Sequence, residues 1–311
     1  MKPLHISLTG EILTHSTREN AVEVWDLRNR IYLCTCPGSL VGAATDGASL
    51  ITRTAEGVRA WDARTGLEHE AHSLDPASYP IHQRFITNAS RYKLIVELRD
   101  ALEIEPPRLV RIEHDPRYYP NLDSWALAPD DRSLIATLSG EVAGQAWASG
   151  LCVDLSSGAR RFKFKVNKFQ KVLPLNFSRE HNLLLVSDDI YHLALFDLES
   201  ARAVREVWVS GFTNASAALV NNPWLVAVSV WEPVTSSAVS PFSVQILNLE
   251  RLSGGRLQRA AVEAVFAEPQ AVDDLFFAPD GLHMASLLSN GAIHWWNLST
   301  GHVDAVFEAP Q

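Results

Sequence analysis

The sequence predicts an all-β fold built from seven copies of one unit of four short strands. An Asp or Asn recurs directly after an aromatic or aliphatic residue, and similar runs of apolar and turn residues surround each copy. The recurring pairs are Trp25-Asp26, Trp61-Asp62, Val153-Asp154, Phe196-Asp197, Leu247-Asn248 and Trp296-Asn297. Four short strands in every ~40–50 residues form the pattern of a propeller blade. We therefore predict a single seven-bladed β-propeller of four-stranded antiparallel blades.

The seventh copy is found from the spacing of the other six. The gap between Asp62 and Asp154 is about twice the usual repeat length, and the segment ALEIEPP places Glu105 at the Asp position within this gap. The predicted blades then cover approximately residues 1–37, 38–73, 80–114, 122–167, 170–210, 212–268 and 270–309.

Each blade is predicted to follow the same order of elements. An apolar run comes first, and a turn such as TDG (45–47) or APDG (278–281) leads to a second apolar run. A tight turn precedes the third strand, which carries the recurring pair, and a turn rich in Asp, Asn, Ser, Thr and Gly leads to the fourth. Short runs separated by such turns are typical of antiparallel strands joined in chain order.

The residues of the third strand have structural roles in this scheme. Trp25, Trp61 and Trp296 are large rings that can fill the space between neighbouring blades. The Asp or Asn that follows can accept hydrogen bonds from the turn, as these residues do at strand ends. The segment HWWNLSTGH (294–302) is therefore predicted to be structural, with Trp295 on the opposite face of its strand from Trp296.

These copies resemble the WD-repeat family in a degenerate form over nearly the whole chain. Trp25-Asp26 and Trp61-Asp62 match the third-strand dipeptide of that family, and the other copies match it by residue type and position. The Gly-His dipeptide that precedes the first strand in that family is missing from every copy, so the hydrogen-bond network built around its His is not expected. Propeller families with looser repeats, including quinoprotein-like ones, fit the same pattern.

Four connections are longer than the repeat requires. The second-to-third-strand connections at 139–150 and 231–241 are expanded, and the blade-to-blade connections at 74–83 and 115–124 are long and aromatic. In a four-stranded blade these two kinds of connection emerge on one face, where loops usually carry function. Aromatic side chains on loops rich in proline favour a partner-binding surface, although these rings could instead fold back and cap the blades. The predicted partner-binding residues are Tyr79, Tyr118, Tyr119, Trp147, Trp231 and Glu232.

A basic segment, RRFKFKVNKFQK (160–171), is predicted to be an outer strand. Its charged residues alternate with apolar ones, as a half-buried strand requires. Lysine on an exposed strand edge prevents pairing with another chain, and a docking site for an acidic peptide or a phosphate is the alternative. The residues of this basic patch are Arg161, Lys163, Lys165 and Lys168. A second segment, RLQRAAVEAVFAE (256–268), has a composition that favours a helix.

Composition restricts the class of protein. The formal net charge of −9 argues against nucleic acid or an anionic membrane as the main partner. The start of the chain has no apolar run typical of a secretory signal, and we expect a cytoplasmic protein. Cys34, Cys36 and Cys152 are too few for a disulfide framework. The spacing of the first two permits a metal or redox pair, but buried small apolar side chains are the preferred interpretation.

The sequence contains none of the common catalytic motifs, such as a nucleophile elbow, a P-loop or an HExxH helix. We therefore expect no enzyme, no cofactor and no metal site, but a scaffold that binds a protein or peptide. The alternative is a propeller enzyme of the lactonase or quinoprotein type, with a site at the central channel. The ends of the chain are predicted to meet by side-chain packing, without a shared ladder of strand hydrogen bonds between the first and last blades.

Overall fold

The computed structural model describes strands and turns distributed along the whole chain. The described residues are 4–6, 10–17, 19–44, 47–69, 82–85, 93–99, 108–113, 121–127, 133–142, 145–157, 159–164, 173–178, 182–187, 192–200, 202–209, 218–219, 224–231, 241–253, 259–278 and 280–308. They form no helix, which agrees with the predicted all-β class. The chain divides into two compact units: one comprises Met1–Phe85, Glu97–Leu109 and Asp273–Gln311, and the other comprises Ile86–Val96 and Val110–Val272.

The first unit contains three four-stranded antiparallel sheets, each with its strands paired in chain order. Two of them come first in the chain, and the third is formed by the last strands of the chain. The first sheet comprises β1 (Leu4–Ile6), β2 (Ile12–Ser16), β3 (Ala21–Asp26) and β4 (Ile31–Pro37). The second sheet comprises β5 (Ser39–Ala43), β6 (Ser49–Thr54), β7 (Gly57–Asp62) and β8 (Glu68–His69). A three-stranded sheet, which the division between the units cuts, comprises β9 (His82–Phe85), β10 (Lys93–Arg99) and β11 (Arg108–Glu113).

The second unit contains a four-stranded sheet and an eight-stranded sheet. The four-stranded sheet, here called the middle sheet, comprises β12 (Asn121–Leu127), β13 (Ser133–Val142), β14 (Gln145–Asp154) and β15 (Arg160–Phe164). The first half of the eight-stranded sheet comprises β16 (Leu173–Ser178), β17 (Leu183–Ser187), β18 (His192–Asp197) and β19 (Arg202–Trp208). Its second half comprises β20 (Ala218–Leu219), β21 (Leu225–Trp231), β22 (Phe242–Ser253) and β23 (Arg259–Glu268).

The last sheet belongs to the first unit and comprises β24 (Val272–Phe277), β25 (His283–Leu288), β26 (Ile293–Asn297) and β27 (His302–Phe307). Each of these four-stranded sheets is a meander of consecutive antiparallel strands, the unit of a propeller blade. Five of the six recurring pairs lie at the end of a third strand, because β3, β7, β14, β18 and β26 each end on the Asp or Asn of the pair. The sixth pair lies within β22, which continues past Asn248.

The described residues do not form seven separate four-stranded sheets. One parallel bridge, between Trp208 of β19 and Arg259 of β23, joins two four-stranded meanders into the eight-stranded sheet. In the three-stranded sheet, β11 pairs directly with β10, at the position that the sequence assigned to the strand around Glu105. Glu105 itself lies outside the described residues.

Two segments differ from the sequence prediction. The helix-favouring segment 256–268 contains β23, which pairs with β22 from Phe242↔Glu268 to Ser253↔Arg259. Pairing along a neighbouring strand satisfies the backbone hydrogen-bonding groups and overrides a weak helical propensity.

The segment at 139–150, predicted to be an expanded loop, is an extended hairpin. The ladder between β13 and β14 continues without interruption to Val142↔Gln145.

Neighbouring sheets within a unit are held together by side-chain packing. In the first unit, Leu13, Trp25 and Leu27 of the first sheet form one buried cluster with Ile293, Trp295 and Phe307 of the last sheet. Arg30 adds an ion pair to Asp304 at 3.8 Å and donates a hydrogen bond to its backbone carbonyl. β1 pairs with β2, and β27 pairs with β26. The predicted packing of the chain ends without a shared strand ladder is confirmed for the described residues.

Candidate protein-binding site

Trp231 belongs to the predicted binding face, and its side chain is exposed. It is the last residue of β21, whose preceding five residues are all buried. Its side chain is 43% exposed, which is unusual for a tryptophan at the end of a buried strand. Across the ladder it pairs with Phe242, the first residue of β22, whose side chain is half-buried. The two residues therefore lie at the two ends of the second-to-third-strand connection in the second half of the eight-stranded sheet.

The other predicted partner-binding residues are not placed as side chains. Trp147 lies on β14, where its backbone pairs with Gly140 near the tip of the extended hairpin, but its side chain is outside the described part. Four residues lie in segments outside the described ranges: Tyr79, Tyr118, Tyr119 and Glu232. The structure therefore places Trp231 at the surface and leaves the grouping of the six residues as a prediction.

Residues 160–164 of the basic segment form a half-buried outer strand, as predicted. β15 is the last strand of the middle sheet and alternates exposed Arg161, half-buried Phe162 and exposed Lys163. Phe162 packs on a buried cluster that includes Ile135 and Cys152. Arg161 donates a hydrogen bond from Nη1 to Ser133 Oγ at 2.5 Å. The guanidinium of Arg161 therefore has a structural contact, while Lys165 and Lys168 lie outside the described residues.

The double change Lys163→Gln and Lys165→Gln separates the two interpretations of this strand. If the lysines only protect an exposed edge, solubility should fall while any partner binds as before. If they dock an acidic partner, affinity should fall and become less dependent on salt. We expect the first result, and solubility limits together with binding at low and high salt check it. Weaker binding with a reduced salt dependence would contradict the structural interpretation.

The recurring Asp and Asn close the turn that follows each third strand. Asp62 Oδ1 accepts hydrogen bonds from the backbone N–H groups of Arg64 and Thr65, at 2.9 and 2.7 Å. Asp197 Oδ1 accepts from Glu199 and Ser200 at 2.8 and 2.7 Å. Equivalent bonds are made by Asp26, Asp154, Asn248 and Asn297. The predicted turn-closing role is confirmed at six positions, and HWWNLSTGH is one copy of it.

These hydrogen bonds favour the charged form of the aspartates. The side-chain hydroxyl of Ser156, with further bonds from Ser157, lowers the pKa of Asp154 below its ordinary value. The backbone N–H of Ser200 is the main cause of the lowered pKa of Asp197. Because the pKa is lower in the folded chain, the stabilisation from each is present above the unfolded-state pKa of about 3.9 and lost as the pH falls towards the folded value.

Asp197→Asn is expected to keep the turn and remove part of the acid sensitivity. The amide oxygen can accept the same two backbone bonds, as Asn248 and Asn297 already do. The free energy of unfolding should therefore change little at pH 7 and fall less steeply below pH ~4 than in the unchanged protein. Chemical unfolding of both proteins between pH 7 and pH values below ~4 measures this difference in the free energy of unfolding. The control Asp197→Ala removes the acceptor and should cost about 1 kcal/mol at pH 7. An Asn variant as unstable as the Ala variant would refute the role of the turn bonds.

Two tryptophans are held by hydrogen bonds that the sequence did not reveal. Trp61 Nε1 donates to Thr52 Oγ1 at 2.8 Å, and Trp296 Nε1 donates to Ser286 Oγ at 3.0 Å. Thr52 in turn donates to the carbonyl oxygen of Pro37 at 2.6 Å. The following Gly38 has φ +98° and a Cβ there would lie 2.6 Å from Arg53 O, so only glycine fits this close approach. The signal in the sequence that could have predicted these bonds is a hydroxyl residue on the second strand of each sheet, Thr52 on β6 and Ser286 on β25.

Within the described ranges, no group of three or more His, Cys, Asp or Glu side chains is arranged to hold a metal ion. The described part of the chain also contains no helix with the length and hydropathy needed to span a lipid bilayer.

Comparisons with known proteins identify the fold. No protein-family model matches the sequence, and no curated protein matches it. Among solved structures, the chain is similar to a chain of the "Crystal Structure of Mitotic Checkpoint Complex", with a TM-score of 0.62 and 14% sequence identity. The alignment covers 96% of this chain and 87% of that chain. At this identity the likeness shows a shared fold and nothing about partners.

Proposed function

We propose that this protein is a non-catalytic interaction scaffold that binds a protein or peptide on the face of its second-to-third-strand connections. The observation that carries the proposal is the exposure of Trp231 at the end of a strand that is otherwise buried. Tryptophan is among the residues that contribute most to protein interfaces, because one ring buries a large area with little loss of conformational entropy. Likeness to a chain from a multi-protein complex is compatible with this role.

We further propose that the chain is a seven-bladed propeller of the WD-repeat type. The six turn-closing Asp or Asn residues and the two Trp–hydroxyl bonds support the repeat assignment. The eight-stranded sheet consists of two four-stranded meanders joined by one bridge, and the three-stranded sheet occupies one further blade position. In this proposal the eight-stranded sheet supplies two blades and the three-stranded sheet supplies one, which with the four separate four-stranded sheets makes seven.

The face can be located by cross-linking from single positions. A photoreactive benzoylphenylalanine replaces Trp231 in one variant, and Val306 in a matched control. Val306 lies on β27 of the last sheet, where it is 52% exposed. After irradiation in extract from the native cells, we expect one discrete conjugate from position 231 and none of the same mass from position 306. Two outcomes would refute the proposed face. One is the same conjugate formed equally from both positions. The other is no conjugate from position 231 although the unchanged protein co-purifies with a partner.

A further inference from the structure

Cys34 and Cys36 form a pair of neighbouring thiols on β4. Two residues apart on a strand, they project from the same face, which packs towards the second sheet. Cys36 is fully buried in a cluster with Leu50 and Trp61 of that sheet. Cys34 is half-buried, and its Sγ donates a hydrogen bond to the carbonyl oxygen of Ala63 at 3.5 Å. One thiol is thus partly accessible to solvent, while the other lies behind it in the core.

The two thiols are hydrogen-bonded to each other and differ in acidity. The bond from Cys36 lowers the pKa of Cys34, although burial and the nearby charge of Asp62 oppose this shift. The same bond, with burial, strongly raises the pKa of Cys36. A partly accessible thiol of lowered pKa beside a protonated thiol is the arrangement of a reactive cysteine with a second cysteine to resolve it.

We propose that Cys34 and Cys36 are a reversible oxidation site for hydroperoxides. In the first step the Cys34 thiolate attacks one peroxide oxygen, the O–O bond breaks, and the other oxygen leaves as hydroxide or alkoxide and takes up a proton. Cys34 is then a sulfenic acid. In the second step the Cys36 sulfur attacks the Cys34 sulfur and loses its proton, the S–O bond breaks, and water leaves. The pair is oxidised to a disulfide, and the hydroperoxide is reduced to water or an alcohol.

The strand geometry makes this disulfide easily reversed. The Cα atoms of residues two apart on a strand lie about 6.5–7 Å apart, at the upper limit of the roughly 4.4–6.8 Å over which a disulfide usually joins two Cα atoms. Forming the bond therefore strains the regular pairing of β4 with β3. Strained disulfides have higher reduction potentials and are the labile, regulatory ones.

Oxidation would also disturb the contact between the first and second sheets. Gly66, in the turn after β7, has φ +67°, and a Cβ built there would lie 2.9 Å from Cys34 Cβ. The turn is therefore packed directly on the Cys34 side chain, with little room for it to move. Displacement of Cys34 must shift this turn or break the bond to Ala63, so the oxidation state of the pair controls how tightly the two sheets pack.

Peptide masses test the proposal directly. Trypsin cleavage after Arg30 and Arg53 releases residues 31–53, which contain both cysteines of the pair and not Cys152. After treatment of the folded protein with hydrogen peroxide and alkylation, we expect this peptide to lose the mass of two hydrogens and to take up no alkyl group. Dithiothreitol should reverse the change. Without peroxide, Cys34 should alkylate about tenfold or more faster than Cys152, which is buried in the middle sheet.

Two variants distinguish a specific site from general oxidation. Cys36→Ser should stop the reaction at the sulfenic acid of Cys34, which dimedone traps, whereas Cys152→Ser should leave the disulfide yield unchanged. If the Cys36→Ser variant does not fold, the peptide masses of the unchanged protein still test the proposal. A peptide that keeps both thiols at peroxide concentrations that oxidise free glutathione would overturn the proposal. Linkage of Cys34 between two chains, instead of to Cys36, would also overturn it.

Discussion

Trp25→Ala is expected to lower the free energy of unfolding by about 3–5 kcal/mol, the usual cost of deleting a large buried aromatic ring. The Trp25 side chain is 2% exposed and belongs to the cluster that joins the first and last sheets. Its ring centroid lies 6.1 Å from that of Tyr32 on its own sheet and 6.2 Å from that of Phe307 on the last sheet. Its loss leaves a cavity where no strand ladder between the described residues of these sheets compensates.

Urea unfolding of the unchanged protein and three variants measures this effect. Trp25→Phe keeps an aromatic ring and should cost less than the alanine variant, because it leaves a smaller cavity. Val306→Ala, on the exposed face of β27, should change the midpoint little. A loss below about 1 kcal/mol for Trp25→Ala would contradict the view that this ring holds the two sheets together.

The local features of the fold could be predicted from the sequence because they depend on neighbouring residues. A turn-closing Asp needs only two backbone N–H groups within three positions, so Asp62 and Asn297 were interpretable from the sequence alone. The bond from Trp61 to Thr52 depends on the register of two paired strands, which composition does not specify. For the same reason the extended β13–β14 hairpin was predicted to be a loop.

Segment 256–268 shows where propensity misleads. Its Ala, Glu and Arg residues favour a helix in isolation, but β22 offers a long strand on which β23 pairs. The resulting strand, the last of its four-stranded meander, exposes Val262 and Val265 and buries Phe266. Tertiary pairing contributes more hydrogen bonds and buried area than the small difference in propensity.

The candidate site was predicted through one general signal, aromatic residues in connections. For Trp231 this signal predicted an exposed ring, and the structure shows one where the buried run of β21 ends. Its role in binding stays a prediction. The positions of the tyrosines depend on the paths of long connections, to which strand periodicity does not apply. The basic strand was predicted more completely, because alternation alone separates Phe162 from the exposed Arg161 and Lys163.

Trp231→Ala is expected to weaken partner binding by about 30-fold or more, equivalent to about 2–4 kcal/mol for a central interface aromatic. The free energy of unfolding should be nearly unchanged, because the side chain is 43% exposed and its loss opens no internal cavity. Tyr118→Ala is predicted to act in the same direction if its ring belongs to the same face. Leu282→Ala is a matched control, since Leu282 is 57% exposed in the turn before β25 of the last sheet.

The proposed binding role of Trp231 is tested most directly by the dissociation constant of the partner identified by cross-linking. This constant is measured for the unchanged protein and for Trp231→Ala, together with the thermal unfolding of both. We expect the Trp231→Ala variant to unfold at nearly the same temperature as the unchanged protein and to bind at least about 30-fold more weakly. Leu282→Ala should bind and unfold normally. A folded Trp231→Ala variant with unchanged affinity would contradict the account, because the partner would then bind elsewhere. Early unfolding of that variant would contradict it too, because the ring would then be a packing element.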